Sequence, residues 1–293
     1  MRKIDKERLN FLEGVEARFL KILDKLENQF LRAILKELET VLIIKDGKIE
    51  NVTKNHVNLH KLGFFQEQFR KKNVSPVVSW VATQLIKINN INYKYFNKVA
   101  DVKSIEKRVH NNALLELGIK QNGNRVTIAK NSFLDQITKF ETPYLAIRNL
   151  STQAIAQGMS IENFKRLIKT EIKPDGKYGK VKHHFKTIAS DVFSRHDRNV
   201  QLKYANELDF KTFIYEGGTI ESTRQFCRDR NDKVFTREEA EAWKSIDWDG
   251  KNEPYNPLTD MGGHNCRHFT SWIGKKEAIR RRPDLKNYFE NLN

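Results

Sequence analysis

Cysteine is scarce, with two in 293 residues. That excludes a disulfide scaffold and fits a reducing compartment. Proline and glycine are also few, at 6 and 14, which excludes collagen-like and Pro/Gly-rich disordered chains. No stretch approaches the roughly 20 apolar residues that cross a bilayer as a helix, so no membrane partner is expected. The start, Met1-Arg2-Lys3-Ile4-Asp5-Lys6, is charged but leads into no apolar core. Neither a signal peptide nor a transit peptide is expected, and synthesis in a cytoplasm is. Negative charge is the last shortage. Asp and Glu number 37 against 53 Lys and Arg, a formal net charge of +16.

Such an excess attracts polyanions, meaning nucleic acid or an acidic protein surface. A lysine-rich proteome would give every protein this sign, but here the charge is uneven. Lys165, Arg166, Lys169, Lys173, Lys177, Lys180, Lys182 and Lys186 crowd one segment that holds only Glu171 and Asp175 as counter-charges. The C-terminal "GKKEAIRRRPDLK" adds Lys275, Lys276, Arg280, Arg281 and Arg282. These cations are the candidate nucleic-acid contacts. Phosphate contact of this kind is sequence-independent and salt-sensitive. No base-reading motif is visible.

The chain is long enough for a sizeable core and two domains. Leu9, Leu12, Phe19, Leu23, Leu26 and Phe30 recur at helical spacing. They predict an amphipathic helix over 6–39, about 50 Å long at 1.5 Å per residue. Its stripe needs a partner, either a second helix of this chain or another subunit. "TVLIIKDGKIENVTK" predicts a short hairpin turning at Asp46-Gly47. Further helices are expected from Pro76, over 104–117 with Gly118 as C-cap, from Asn131 or Ser132, from Thr142-Pro143 to Gly158, over 160–172, and as one long helix over 180–208. Asn122-Gly123 marks a turn beside a short strand.

The style then changes. "DFKTFIYEGG" and "DKVF" read as strands, with a helical turn "STRQFCRDR" between them. Thr236 and Glu239 form a capping box opening a helix through Trp243. A polar loop follows over 247–260, and "GGHNCRHFTSWI" alternates as a closing strand. The expected fold class is α+β: a mostly helical N-terminal two-thirds and a small C-terminal α+β unit. The expected divisions are a helical domain over 1–135, a second domain over 136–273 and a basic tail over 274–293. No internal repeat is visible.

Chemistry concentrates in "MGGHNCRHFTSW", 261–272, and in Cys227. Cys227, His264, Cys266 and His268 would satisfy Zn²⁺ as a Cys2His2 site. The spacing is not a common zinc-finger one and lacks a C-x2-C knuckle. His264 and His268 lie about 13 Å apart if the strand is extended, so both reach one ion only if the Gly262-Gly263 end curls back. Three other readings stay open. Cys227, Cys266 and His268 can form a metal-free structural cluster. Cys227 and Cys266 can form a disulfide after release to an oxidising medium. A Cys–His nucleophile or an HNH-type nuclease can use His264, Cys266 and His268, although a nucleophile pair needs an orienting third group and an oxyanion site, and the ββα-metal spacing is absent. "DWDGKN", 247–252, resembles the start of a Ca²⁺ loop but lacks the closing glutamate, so a plain turn is expected.

Two of these stretches, "ESTRQFCRDRNDKVF" (221–235) and "GGHNCRHFTSW" (262–272), resemble the Mu F-like, phage head-morphogenesis family of minor head proteins. "IASDVFSRHDRNVQLKYANEL" stands where that family carries its long helix, with Arg195 and Asp197 in weaker correspondence. The resemblance covers about residues 140–273, so the second domain is expected to be a head-morphogenesis domain. Two departures stand out: His268 replaces the family's second C-terminal cysteine, and Asn231-Asp232-Lys233 replaces its Asp-Gly-Lys. The resemblance implies a non-enzymatic minor capsid protein in few copies, located in the virion head interior and made in the host cytoplasm. Its implied partners are phage portal, capsid or scaffold proteins and packaged double-stranded DNA. Its C-terminal motif would staple a unit too short to have much core, with either no cofactor or one structural Zn²⁺. The competing expectation is a metal-dependent nuclease or other enzyme centred on His264, Cys266 and His268.

Overall fold

The three-and-four spacing of apolar residues does form the first helix. In a computed structural model of the chain, α1 runs Lys3–Val41. The structure describes residues 3–292 apart from 124, 176, 177 and 187. After α1 come β1 (Ile44–Lys45), β2 (Lys48–Ile49), α2 (Thr53–Asn58), α3 (Lys61–Phe69), α4 (Ser75–Phe96), α5 (Lys103–Leu115), β3 (Ile119–Asn122), β4 (Arg125–Ile128), α6 (Phe133–Lys139), α7 (Glu141–Ala156), α8 (Ile161–Ile172) and α9 (Lys180–His184). The remainder is α10 (Phe193–Glu207), β5 (Thr212–Glu216), α11 (Gln225–Arg230), β6 (Val234–Thr236), α12 (Arg237–Glu241), α13 (Pro257–Asp260), β7 (Phe269–Ile273), α14 (Lys275–Arg281) and α15 (Leu285–Glu290). The class is α+β, helical through its first two-thirds, with the three-stranded sheet confined to the C-terminal part. No helix among the described residues is long and apolar enough to cross a membrane.

The chain folds into two compact units, both discontinuous in sequence. One comprises Met1–Glu16, Gln84–Glu116 and Ser190–Asn293, and the other Ala17–Thr83 and Leu117–Ala189. The expected limits at 135 and 273 match neither unit, because α1 and α4 each contribute residues to both.

In the second of these units the α1 stripe, Phe19, Leu23, Leu26, Phe30, Ile34 and Leu38, is buried. Phe30 meets Phe69 and Phe140 edge-on, both at 5.1 Å, and Phe19 stacks on Trp80 at 6.0 Å. Here the partner for the stripe is the chain itself. The expected hairpin is β1–β2, turning through Asp46 and Gly47 at positive φ. Buried Asn55 locks it, accepting from Ile43 N at 2.7 Å and donating to Glu50 O at 2.7 Å and Ile43 O at 3.1 Å. Ser132 and Ser160 cap α6 and α8 as expected.

The single helix expected over 180–208 is broken. α9 ends at His184, a wide π turn covers Ile188–Val192, and α10 begins at Phe193. Val181, Phe185 and Ile188 are buried in one unit and Phe193, Val200 and Tyr204 in the other. π turns are rare and close i→i+5 hydrogen bonds, a wider turn than the α-helix that follows.

In the first unit β5 is the central strand, antiparallel to β6 on one side and β7 on the other. Alternation sends Phe213, Tyr215 and Trp272 to one core, and Ile214, Val234 and Ile273 to the opposite face. That second face is covered by Ala278, Leu285 and Phe289. The basic segment after residue 273 is therefore no tail. It folds as α14 and α15 and closes the sheet.

α10 buries polar groups. His196 pairs its Nε2 with Asn89 Oδ1 at 2.7 Å. Burial pushes its pKa from 6.5 down to about 3. The unfolded chain takes up this proton below about pH 6.5 while the native state stays neutral. Stability is thus lost as pH falls from about 6.5 towards 3, at up to ~1.4 kcal/mol per pH unit. In His196→Gln, denaturant titrations between pH 6 and pH 4 should show that slope flattened. An unchanged slope would mean the native histidine already carries its proton.

Candidate metal centre

Cys227 enters from the first turn of α11, Cys266 and His268 from the segment before β7. The expected strand over 262–273 exists only as β7. Met261, Gly263 and Asn265 all take positive φ, at 54°, 86° and 58°. These reversals curl the chain so that Cys266 and His268 face Cys227. The candidate ligand atoms of the three residues all lie within 4.8 Å of one another, and all three side chains are buried. His264 does not join them. Its side chain is 61% exposed, with Nδ1 3.9 Å from Asp191 Oδ2.

Contacts hold the cluster tightly. Gly262 N–H donates to Cys266 Sγ at 3.2 Å, and Tyr215 OH donates to Cys227 Sγ at 3.2 Å. His268 Nδ1 is 3.7 Å from Cys266 Sγ. Gly262 is required by this approach, since a Cβ there would fall 2.3 Å from Cys227 Sγ and 3.1 Å from Cys266 Sγ. Gly217 leaves room in the same way, because a Cβ would come within 2.6 Å of the His268 ring. From below, Arg198 Nη1 donates to the carbonyls of Cys266 and His268 at 3.0 and 2.9 Å. Trp248 Nε1 donates to Gly262 O at 3.1 Å, and Tyr255 OH to Met261 O at 2.7 Å.

The electrostatics divide the two thiols. Hydrogen bonding from Cys227, then from His268, and the nearby Arg198 charge hold the Cys266 pKa well below the usual thiol range, against burial. Its bond to Cys266 and burial push the Cys227 thiol up. Burial keeps Tyr215 a neutral phenol. Among the described residues, His268 Nε2 is buried without a hydrogen-bond partner.

This donor set could hold a metal ion. Two sulfurs and an imidazole are the ligands Zn²⁺ takes, at about 2.3 Å for sulfur and 2.0–2.1 Å for nitrogen. Among the described residues three ligands gather, rather than the four of the expected Cys2His2 set. Cys227 and Cys266 are free thiols here. "DWDGKN" is a turn. Gly250 has φ 82°, Arg224 Nε donates to Asp249 O at 2.7 Å, and Trp248 stacks on Phe226 at 3.8 Å. No cluster of potential metal ligands among the described residues includes Asp247 or Asp249.

The candidate nucleic-acid contacts are scattered between the units and partly neutralised. Lys165 pairs with Glu39, Lys180 with Glu171, and Lys182 with Asp24 and Glu27. Arg280 and Arg281 both pair with Glu277, and Arg282 with Glu239 and Asp284. Arg166, Lys169, Lys173, Lys186, Lys275 and Lys276 are exposed. Lys177 lies outside the described residues.

Arg198 and Tyr215 were not foreseen as parts of the cluster, yet each holds it in place. The polar run "SRHDRN" on a helix was the one trace of Arg198 in the sequence. Comparison with protein-family models, curated proteins and solved structures found no match to this chain.

Proposed function

We propose that this chain is a structural assembly protein of a tailed-phage head, a minor, portal-associated component with non-specific affinity for the packaged DNA. The supporting observation is the enclosure of the thiol–imidazole cluster. Cys227, Cys266 and His268 are 2%, 4% and 5% exposed, so a substrate would have no path to them. An enclosed cluster fits a clasp that joins α11 to the segment before β7, which is the role the motif resemblance implies. It does not fit a nucleophile or a nuclease centre.

In this reading one structural Zn²⁺ is held by Cys227, Cys266 and His268. It would supply cross-linking of two distant segments, with Cys227 and Cys266 both binding as thiolates and giving up their protons as the metal enters. The net charge of +16 supports the DNA affinity, because cations that neutralise phosphates release counterions on binding.

Mass spectrometry of purified phage particles that encode this chain should find it at few copies per head. Its absence from the particle would refute the assignment. The enzyme alternative is tested by incubating plasmid with the protein and Mg²⁺, Mn²⁺ or Zn²⁺. Retardation without nicking is expected, and nicking that disappears in His264→Ala would establish the nuclease instead.

A further inference from the structure

One face of α1 carries a straight row of cations outside the basic segments. Arg18, Lys21, Lys25, Arg32 and Lys36 are all exposed. At 3.6 residues per turn they fall within about 60° of one another around the helix, in a row about 27 Å long. The row lies opposite the stripe that begins with Phe19 and Leu23. None of the five has an ion-pair partner among the described residues.

The neighbouring acids of α1 do not offset this row, because other cations already occupy them. Asp24 and Glu27 face Lys182 at 2.6 and 3.7 Å, and Glu39 pairs with Lys165. The last turn of α8 also leads Lys173 to the row: Lys173 Nζ donates to Asn28 Oδ1 at 3.1 Å, and Asn28 lies between Lys25 and Arg32. Two cations of the basic segment, Lys165 and Lys182, thus pair with acids on the flank of α1, beside a row of one sign.

We propose that this outer face of α1 is the surface that binds double-stranded nucleic acid, through its phosphates. The inference rests on the DNA affinity proposed above and assigns it to a place. A protein partner is disfavoured by the make-up of the row, since interface cores are anchored by aromatic or apolar side chains. Residues 18, 21, 25, 28, 32 and 36 are Arg, Lys, Lys, Asn, Arg and Lys. Duplex DNA carries a charge every ~1.7 Å along its axis, so a straight cationic row meets phosphates wherever it lies along the duplex.

The test uses the full chain and a duplex of random sequence about 30 base pairs long. In one variant Arg18, Lys21, Lys25, Arg32 and Lys36 are all changed to Gln, which keeps helix propensity. In a second, Lys275, Lys276, Arg280 and Arg281 are changed to Gln. Binding is measured by fluorescence anisotropy across salt concentration. The α1 variant should keep its circular dichroism and thermal midpoint. It should lose at least about 100-fold in affinity at low salt, and its slope of log K against log salt should flatten by about 4, near 0.9 per lost contact. If the unaltered protein binds and the α1 variant binds equally well, this inference fails while the DNA affinity stands. Loss in the second variant alone would move the contact to α14. If the unaltered protein does not bind at low salt, both proposals lose their DNA.

Discussion

Chemical denaturation of the Cys266→Ser variant is expected to show a loss of about 2–4 kcal/mol, the range for disrupting a buried hydrogen-bonded network. Cys266 Sγ accepts the Gly262 N–H and lies against Cys227 and His268. A serine oxygen is smaller and a far weaker metal ligand than sulfur, so neither the packing nor the ligand is reproduced. Gly262→Ala tests the same clasp without touching a ligand. Its Cβ has no space beside the two sulfurs, and about 2 kcal/mol or more should be lost to overpacking. If both variants unfold at the denaturant midpoint of the unaltered protein, the clasp holds nothing together. Metal analysis of protein purified without chelator should give one zinc per chain, and Cys266→Ser should lose it. Sub-stoichiometric zinc would leave a metal-free thiol cluster in its place.

Asp197→Ala should be costlier, at about 3–5 kcal/mol, because removing one partner strands a buried charge. Arg8 is 1% exposed, and Asp197 is fully buried. Arg8 Nε stands 3.6 Å from Asp197 Oδ2. Its guanidinium lies over the Phe269 ring at 4.2 Å, and among the described residues its nitrogens have no hydrogen-bond partner. Asp197 is further held by Asn92 Nδ2 at 2.8 Å and Gln201 Nε2 at 3.0 Å. Without the carboxylate, the cation keeps its desolvation cost and loses its counter-charge. Arg8→Met combined with Asp197→Leu should recover most of the loss, since replacing a whole buried pair with apolar groups is often neutral. A single variant costing under about 1 kcal/mol would show that water reaches this pair.

Local signals were legible because each reaches only a few residues. The Thr236–Glu239 capping box forms both of its bonds. The Asp46-Gly47 and Asn122-Gly123 turns fall between paired strands. What failed needed knowledge of what lies across the fold. The run over 180–208 is helical by propensity throughout, yet α9 ends at His184 and a π turn precedes α10. His264 was a candidate for the four-ligand set but not for the three-residue cluster, and three positive-φ residues turn it outward. Lys165 and Lys182 looked free because Glu39 and Asp24 are distant in sequence.

The sequence by itself determined the class, the helical periodicity, the caps and the sign of the charge, all properties of composition or of neighbours along the chain. Only the tertiary structure decided that the two thiols meet, which histidine joins them and which cations pair with acids. Those depend on side chains from separate segments meeting in space, where burial and hydrogen bonding, rather than residue type, set the chemistry.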